Sequence, residues 1–217
     1  MAAGDINNDG RGEIITGVGT SKVIKDNVYL AVPYYKQERR LSCEAVALRM
    51  GLVYKGKNVS ETEIMRYVGF DPTPHTDNIW GNPHQAYVGN IDGRQITTGY
   101  GVYWEPIAKA ARHFRPAIYF TGQSLGNVLQ EVADGNPVIF WGSILDYLAP
   151  IYWKTPDGQT IYAIKGEHTY VVKGFVGSIY NPSQIILNDS LSGEKRVSTS
   201  WFLKNWSFLG NNGVVIR

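Results

Sequence analysis

The stretch QERRLSCEAVAL, residues 37–48, predicts a helix that begins at a cysteine. Ser42 is a residue type that caps helix N-termini, Glu44 adds favourable charge to the first turn, and the apolar residues that follow continue a helical pattern. We expect the helix to end at Gly51. Cys43 is the only cysteine in the chain, and unpaired N–H groups at a helix N-terminus favour a thiolate. The position therefore predicts a nucleophile; the alternative is a small buried side chain, the commoner fate of a lone cysteine.

Three polar residues elsewhere in the chain suit that nucleophile. His168 opens an apolar run that predicts a strand, and Asp189 closes another such run. A thiol, an imidazole and a carboxylate at the ends of regular elements make the arrangement that nucleophilic acyl transfer needs. Gln37 precedes Cys43 by six positions, where its amide could donate a hydrogen bond to a developing oxyanion. Taken alone, Gln37 would be interpreted as a surface residue.

Length and composition limit the classes of protein. The 217 residues suit one domain, or one domain with a short appendage. A single cysteine excludes an internal disulfide framework and a cysteine-built zinc site. The net charge of +2 comes from well-mixed signs, which makes nucleic acid a poor candidate partner. The most apolar region, 138–153, is too short and too interrupted to span a bilayer, so no membrane insertion is expected. The polar start of the chain lacks the apolar core of a signal peptide.

Residues 1–20 differ from the rest. The run DINNDGRGE, residues 5–13, places oxygen donors at alternate loop positions and a glycine at the sharp turn. The expected calcium ligands are Asp5, Asn7, Asp9, the Arg11 carbonyl and Glu13. Thr16 stands where an EF-hand has its bidentate Glu, so the loop is not an EF-hand. With the strand-like residues after it, the loop resembles one FG-GAP repeat, a calcium-binding element of β-propellers. The alternative is an Asn/Asp/Gly-rich turn without a metal.

The order of the predicted elements is helices first and strands afterwards, an α+β pattern. Helices are expected over 43–51, 60–69, 106–114 and 125–133, and strands over 138–141, 160–163, 169–175, 183–188 and 213–216, with a short helix at 201–205. Residues 70–103 are rich in Pro, Gly, Asn and Asp and predict a long loop. Because so long a loop is rare without a function, we expect it to form a cleft wall. Its aromatic residues, and one just beyond it, would contact substrate or, in the competing interpretation, lie in the core: Trp80, Tyr100, Tyr103 and Trp104.

Five motifs together resemble the papain-like cysteine peptidases, and most closely the branch of the bacteriocin-leader (double-glycine) processing peptidases. The motifs span most of residues 28–217: VPYYKQ (32–37) with SCEA (42–45), IWGNP (79–83), GYGVY (99–103), His168 before VVKGF (171–175), and LNDS (187–190). The resemblance implies a papain-like fold in which the N-terminal helical part carries the cysteine and the C-terminal antiparallel sheet carries the histidine and the aspartate. It implies that Cys43 is the nucleophile, His168 the base and later acid, Asp189 the residue that orients His168, and Gln37 the oxyanion donor.

Two features depart from the relatives. The flank of Cys43 lacks the Cys-Gly-x-Cys-Trp run of true papains, so papain substrate preferences do not transfer. Glu167 stands where relatives often have a small residue, and its charge is expected to alter the titration of His168.

These observations predict a peptidase domain over 21–217, preceded by the calcium-loop fragment 1–20. The enzyme would hydrolyse peptide bonds through a Cys43 thioester, act on a peptide or protein substrate, need no catalytic cofactor, and hold calcium only in the N-terminal loop. We expect a monomeric bacterial protein that is secreted or at the cell surface, with its export signal in a longer parent chain. Two alternatives remain: a non-catalytic surface binding module, or an acyl transferase that uses an amine as transglutaminases do.

Overall fold

The computed structural model describes Ala3–Gly4, Glu13–Ile14 and residues 26–217. Ala3–Gly4 (β1) and Glu13–Ile14 (β2) pair as a short antiparallel hairpin. The expected calcium ligands Asp5, Asn7, Asp9 and Arg11 lie outside the described residues, and of Glu13 only the backbone is described. The calcium loop therefore stays a prediction.

Helices dominate the first half of the described chain, and their starts follow from local capping. Ser60, Ser124 and Ser198 each accept a hydrogen bond from the backbone N–H three residues later, which satisfies one unpaired donor of the first turn. Within the described residues the helices are α1 (Cys43–Tyr54), α2 (Glu61–Val68), α3 (Trp104–Ala111), α4 (Leu125–Ala133) and α5 (Thr199–Ser207). None of them is both long and apolar enough to cross a membrane.

The helix α1 differs from the prediction at both ends. Ser42 precedes it, but the Ser42 side chain makes no capping bond and instead donates to Glu61 Oε2 at 2.6 Å. The expected end at Gly51 is wrong, because the helix continues to Tyr54. A Cβ on Gly51 would lie 3.1 Å from Ile216 Cγ1, so the glycine allows α1 to pack closely on the sheet. Tertiary packing, not a helix stop, explains this residue.

The second half of the chain builds the main sheet, whose centre is β11 (Glu167–Ser178). The other strands of this sheet are β3 (Asp26–Tyr29), β7 (Ala117–Phe120), β8 (Val138–Ser143), β12 (Asn181–Asp189), β13 (Gly193–Ser198) and β14 (Gly213–Ile216). The strands run in the order β13-β12-β11-β8-β14-β7, and β3 also pairs with β11. All pairs in this sheet are antiparallel. A separate hairpin consists of β9 (Pro150–Lys154) and β10 (Thr160–Ile164). The predicted α+β class is confirmed.

The register of β11 with its neighbours positions the site. Tyr170 pairs with Asp189 of β12, so His168, two residues earlier on the same face of β11, lies beside the end of β12. The first nine residues of β11 are buried, and α1 packs against this strand. The start of α1, the start of β11 and the end of β12 therefore meet in one place.

Residues 70–103 are more regular than the sequence predicted. They contain a small sheet of β4 (Phe70–Asp71), β5 (Tyr87–Gly89) and β6 (Gly99–Gly101). Between the strands, the chain is fixed by side-chain bonds such as those of Asp71, which accepts from the backbone N–H groups of Thr73 and Asn82 at 2.9 Å each. The segment is also tied to distant parts of the chain, since the Trp80 N–H donates to the Lys154 carbonyl at 2.9 Å and Trp153 Nε1 donates to the Gly81 carbonyl at 2.7 Å. The prediction of a structureless loop is wrong here, because such contacts leave no local pattern in the sequence.

Candidate active site

Cys43 is the first residue of α1 and lies on a small cavity that it shares with His168. The Cys43 side chain is buried, with 6% of its surface exposed. The cavity has a volume of about 160 Å³ and is lined by Gln37, Arg40, Leu41, Cys43, Gln95, Tyr100, Ile144, Glu167, His168 and Leu191. Three of the four residues predicted to be catalytic, Gln37, Cys43 and His168, therefore line one cavity.

Asp189 holds the imidazole of His168. The distance from His168 Nε2 to Asp189 Oδ1 is 2.8 Å, and both side chains are buried. The same carboxylate accepts from the Leu191 N–H at 2.9 Å, the Ser192 hydroxyl at 2.6 Å and Lys195 Nζ at 2.6 Å. Burial acts to raise the pKa of Asp189, but the bonds from His168, Lys195 and Ser192 outweigh it and hold this pKa well below its usual range.

The protonation of the His168 ring follows from that carboxylate. An ionised Asp189 can only accept, so Nε2 carries a proton and, in the neutral ring, Nδ1 keeps its lone pair. A ring oriented in this way can accept a proton at Nδ1 while Asp189 stabilises the imidazolium that forms. The pair has the chemistry of a general base.

Gln37 is fixed on the cavity wall with its amide engaged. Its Nε2 donates to the carbonyls of Arg39 and Arg40 at 2.9 and 2.8 Å, and its Oε1 accepts from the Ser190 hydroxyl at 2.8 Å. Both amide protons are therefore committed to the turn that leads into α1. An oxyanion bond from Gln37 requires one of these protons to be shared or released.

The thiol of Cys43 points toward carboxyl groups in this structure. Its Sγ donates to Glu44 Oε2 at 3.3 Å, while Glu44 Oε1 accepts from the Val102 N–H at 2.8 Å. Burial, followed by the charges of Glu44 and Glu167, raises the pKa of the Cys43 thiol well above its ordinary value. This is the opposite of the thiolate expected from the helix N-terminus, because burial and two nearby acids outweigh the helix charge.

Glu167 is the second acidic residue near the Cys43 thiol. Its side chain is buried, and neither carboxylate oxygen has a hydrogen-bond partner among the described residues. Burial, followed by the charge of Glu44, raises the pKa of Glu167 well above its usual range, and burial raises the pKa of Glu44 to about 7. Sequence reasoning took Glu44 as a helix first-turn charge and noted Glu167 only for its effect on His168. Their signal in the sequence is a glutamate directly after the cysteine and another directly before the histidine.

The predicted substrate-binding residues separate into two groups. Tyr100 lines the cavity, although it also belongs to the hydrophobic core with 1% of its surface exposed. Trp80, Tyr103 and Trp104 belong to the hydrophobic core, with at most 5% of each side chain exposed. The Tyr103 and Trp104 rings stack with centroids 4.8 Å apart. The cleft prediction is corrected for these three, because a substrate would have to unpack the core to reach them. Sequence reasoning missed Ile144 and Leu191, which line the cavity and are 55% and 48% exposed.

The comparisons with known proteins agree with this geometry. Residues 29–214 match the Peptidase_C39 like family. The chain belongs to this family. The match spans the start of α1, the start of β11 and the end of β12, so it includes all the elements that form the cavity. The predicted relation to the double-glycine peptidase branch is confirmed at the level of this family, whereas the FG-GAP resemblance of residues 1–20 stays a prediction.

Relatives of this C39-like chain are found among proteins and solved structures. The uncharacterized protein YvpB of Bacillus subtilis strain 168 is 30% identical over 182 residues, which cover 81% of this chain and 68% of YvpB. A crystal structure of a Bacillus anthracis protein assigned as a C39-like peptidase superposes with a TM-score of 0.76 at 25% identity, covering 89% of this chain and 98% of that one. The peptidase domain of Streptococcus ComA, a bifunctional ABC transporter involved in quorum sensing, gives 0.51 at 14% identity, covering 85% and 98%. The ComA match shows the fold alone. The predicted papain-like fold is confirmed, and the family is one of peptidases.

Proposed function

We propose that this protein is a cysteine peptidase that hydrolyses peptide bonds through a thioester on Cys43. The main support is the 2.8 Å bond between His168 and Asp189 at the cavity that also holds Cys43. An oriented imidazole beside a thiol is the arrangement that activates a nucleophile for acyl transfer. The membership of the peptidase family supports the same reaction.

The raised pKa of Cys43 favours a thiol that loses its proton during attack. The Cys43 S–H proton passes to His168 Nδ1 while sulfur bonds to the substrate carbonyl carbon. The tetrahedral intermediate then breaks its C–N bond, and the leaving amine takes the proton from His168. Water attacks the thioester, again giving a proton to His168. The C–S bond breaks, the peptide acid leaves, and the Cys43 thiol regains its proton.

Two adjustments prepare this step. The thiol, which donates to Glu44 in this structure, must turn toward His168. Rotation about the Cα–Cβ bond of Cys43 between staggered rotamers would provide this motion. Catalytic bonds often tighten only when substrate is bound. The oxyanion would bind the Cys43 backbone N–H, which has no partner inside α1, and one Gln37 N–H shared with the turn carbonyls.

The exposed apolar residues at the cavity mouth suggest where substrate lies. Ile144 and Leu191 are large, half-exposed and on the cavity wall. We propose that these two residues contact apolar side chains of the peptide on either side of the scissile bond. Tyr100, at the inner wall, limits the depth of the subsite.

A non-catalytic binding module is a second candidate function, favoured by one observation: the resting thiol donates to Glu44. Acyl transfer to an amine would use the same residues and differ only in the product. Secretion, a monomeric state, and a domain over 21–217 that follows a calcium-binding fragment over 1–20 remain proposals from the sequence.

Mass spectrometry of new peptide termini separates these functions. The protein is incubated with a pool of unstructured peptides, with and without added amines. A peptidase creates new carboxyl and amino termini, and the termini disappear in Cys43→Ala and His168→Ala. Amine-capped carboxyl termini would indicate acyl transfer. An unchanged pool, with all variants folded, would contradict catalysis and leave the binding module.

A further inference from the structure

The sulfur of Cys43 and one carboxylate oxygen each from Glu44 and Glu167 lie within 4.8 Å of one another. All three side chains are buried. They form what we call the Cys-Glu-Glu cluster. The peptidase mechanism above uses only the sulfur of this cluster, so the two glutamates need a separate explanation.

Glu167 gives the clearest indication of a missing partner. Only 4% of its surface is exposed. Both its oxygens nevertheless lack a hydrogen-bond partner in the described part of the chain. A buried carboxyl group without a partner is costly, and such groups in native structures call for an unseen water or ion. One of these oxygens lies within 4.8 Å of the Cys43 sulfur and of a Glu44 carboxylate oxygen.

The backbone around the cluster leaves room for the carboxyl groups. A Cβ on Gly101 would lie 2.3 Å from Glu44 Oε1 and 3.1 Å from Glu167 Oε2. A side chain at this position would therefore fill the space that the two carboxyl groups share. The Val102 N–H holds Glu44 Oε1, which leaves Oε2 directed at the sulfur. Such a bond from the backbone is how ligating carboxylates are commonly oriented.

A thiolate with two carboxylates is a ligand set for a borderline-soft divalent cation. Zinc binds sulfur at about 2.3 Å and carboxylate oxygen at about 2.0–2.2 Å in a tetrahedral arrangement, so two ligand atoms of one ion lie roughly 3.4–3.6 Å apart. The three atoms of the cluster, at most 4.8 Å apart, would close by up to about 1.2 Å around the ion. Calcium and magnesium prefer all-oxygen sites, and the thiolate disfavours them.

We propose that Cys43, Glu44 and Glu167 bind one divalent cation of the zinc class, and that the bound ion blocks the nucleophile. Binding breaks the Cys43 S–H bond, forms a metal–sulfur bond and releases the proton to solvent, together with any proton on the carboxyl groups; no oxidation state changes. Water would take the fourth coordination position. The blocking effect rests on the proposed peptidase function, whereas the binding site does not.

Cobalt(II) is the probe for the site, because a cobalt–thiolate bond gives a near-ultraviolet charge-transfer band that reports sulfur ligation directly. We expect the metal-free protein to develop this band with one equivalent of cobalt, and Cys43→Ser to lose it. Glu167→Gln and Glu44→Gln should each weaken cobalt binding by roughly 10-fold or more, since each removes a ligand. Glu105→Gln, a matched change on α3 that does not line the cavity, should leave the dissociation constant unchanged, and circular dichroism checks that each variant is folded.

His168→Ala distinguishes the main alternative, a metal held by Cys43 and His168. The Cys-Glu-Glu cluster predicts unchanged cobalt affinity in His168→Ala. Lost affinity in His168→Ala with wild-type affinity in Glu167→Gln would overturn the proposal, as would no band at millimolar cobalt. Zinc at ten times its dissociation constant should also lower the rate of peptide hydrolysis about 10-fold, and a chelator should restore it. A protein that binds cobalt as described but never cleaves peptides would refute the proposed function and keep the site.

Discussion

The candidate site has two acidic sides, Asp189 against His168 and Glu167 on the cavity wall, that are both buried and chemically opposite. Asp189 accepts hydrogen bonds from His168, Leu191 and Ser192. It also forms an ion pair with Lys195, and its pKa is lowered. Glu167 accepts none from the described residues, and its pKa is raised. Burial penalises the charged form of both groups. The difference teaches that the donors around a buried carboxyl group, more than its depth, decide whether it is ionised.

The largest expected effect comes from removing the satisfied carboxylate. Asp189→Ala leaves Lys195 and His168 without their acceptor, and breaking a buried pair in this way costs about 3–5 kcal/mol of unfolding free energy. Glu167→Gln removes an unsatisfied acid and should be neutral or stabilising near pH 7. Urea denaturation of both variants at pH 7 measures the contrast. Equal losses would show that the two sides do not differ as described.

The next largest effect on stability is expected from filling the space beside Glu44 and Glu167. Gly101→Ala places a Cβ against both carboxyl groups at a φ of +149°, and we expect a loss of about 1–3 kcal/mol from overpacking. Gly126→Ala is the matched control in α4, where a Cβ meets nothing within 4 Å. It should be neutral or stabilising by up to about 1 kcal/mol, because alanine favours helix. Melting temperatures that fall equally in both variants would contradict the packing described at Gly101.

The two sides should also respond oppositely to pH. The folded pKa values of Glu44 and Glu167 exceed the ordinary value of 4.5. Their contribution to the free energy of unfolding is therefore fully present below pH 4.5 and is lost as pH rises through the folded pKa values. Each group contributes a slope of about 1.4 kcal/mol per pH unit; for Glu44 the loss ends near pH 7. Asp189 contributes stability above its ordinary value of 3.8, which is lost as pH falls below it.

Denaturation in chelator from pH 3 to 8 tests this linkage. Glu167→Gln should lack one of the two falling slopes above pH 4.5 and keep the loss at low pH. A wild-type curve parallel to that of Glu167→Gln between pH 5 and 8 would mean that Glu167 is ionised in the folded protein.

The smallest effect is on thiol reactivity. Because burial, Glu44 and Glu167 raise the pKa of Cys43, iodoacetamide should alkylate the metal-free protein slowly at pH 6. Glu167→Gln should move the rate profile to lower pH, because Glu167 is ionised at the high pH where Cys43 titrates and its charge there opposes the thiolate. Fast alkylation at pH 6 in the wild-type protein would restore the thiolate predicted from the helix N-terminus.

Local signals in the sequence predicted much of the fold. The helices that follow Ser60 and Ser124 and the strand at 213–216 lie where they were expected, because patterns of a few residues determine them. Gly51 failed as a helix stop, because its packing against Ile216 depends on a strand at the far end of the chain. The small sheet within 70–103 was missed for the same reason: its short strands carry no periodic pattern and are fixed by distant contacts.

The candidate site was predictable where one residue type indicates one chemistry. Cys43, His168 and Asp189 each lie at the end of an element, and the structure brings Cys43 and His168 to one cavity and His168 to Asp189. The surrounding of the thiol was not predictable, since it depends on Glu44 and Glu167 meeting across α1 and β11. The aromatic residues were ambiguous in the sequence, and only burial in the folded chain assigns Trp80, Tyr103 and Trp104 to the core.

The central claim is that Cys43 forms a thioester with substrate, with His168 as base. Intact-protein mass spectrometry after acid quenching of a reaction with a peptide pool measures this intermediate directly. The account predicts a mass increase on Cys43 that hydroxylamine removes, a larger trapped fraction when deacylation is slow, and no adduct in His168→Ala. Cleavage that persists in Cys43→Ala, or peptide hydrolysis by the wild-type protein without any adduct at Cys43 under single-turnover conditions, would contradict it.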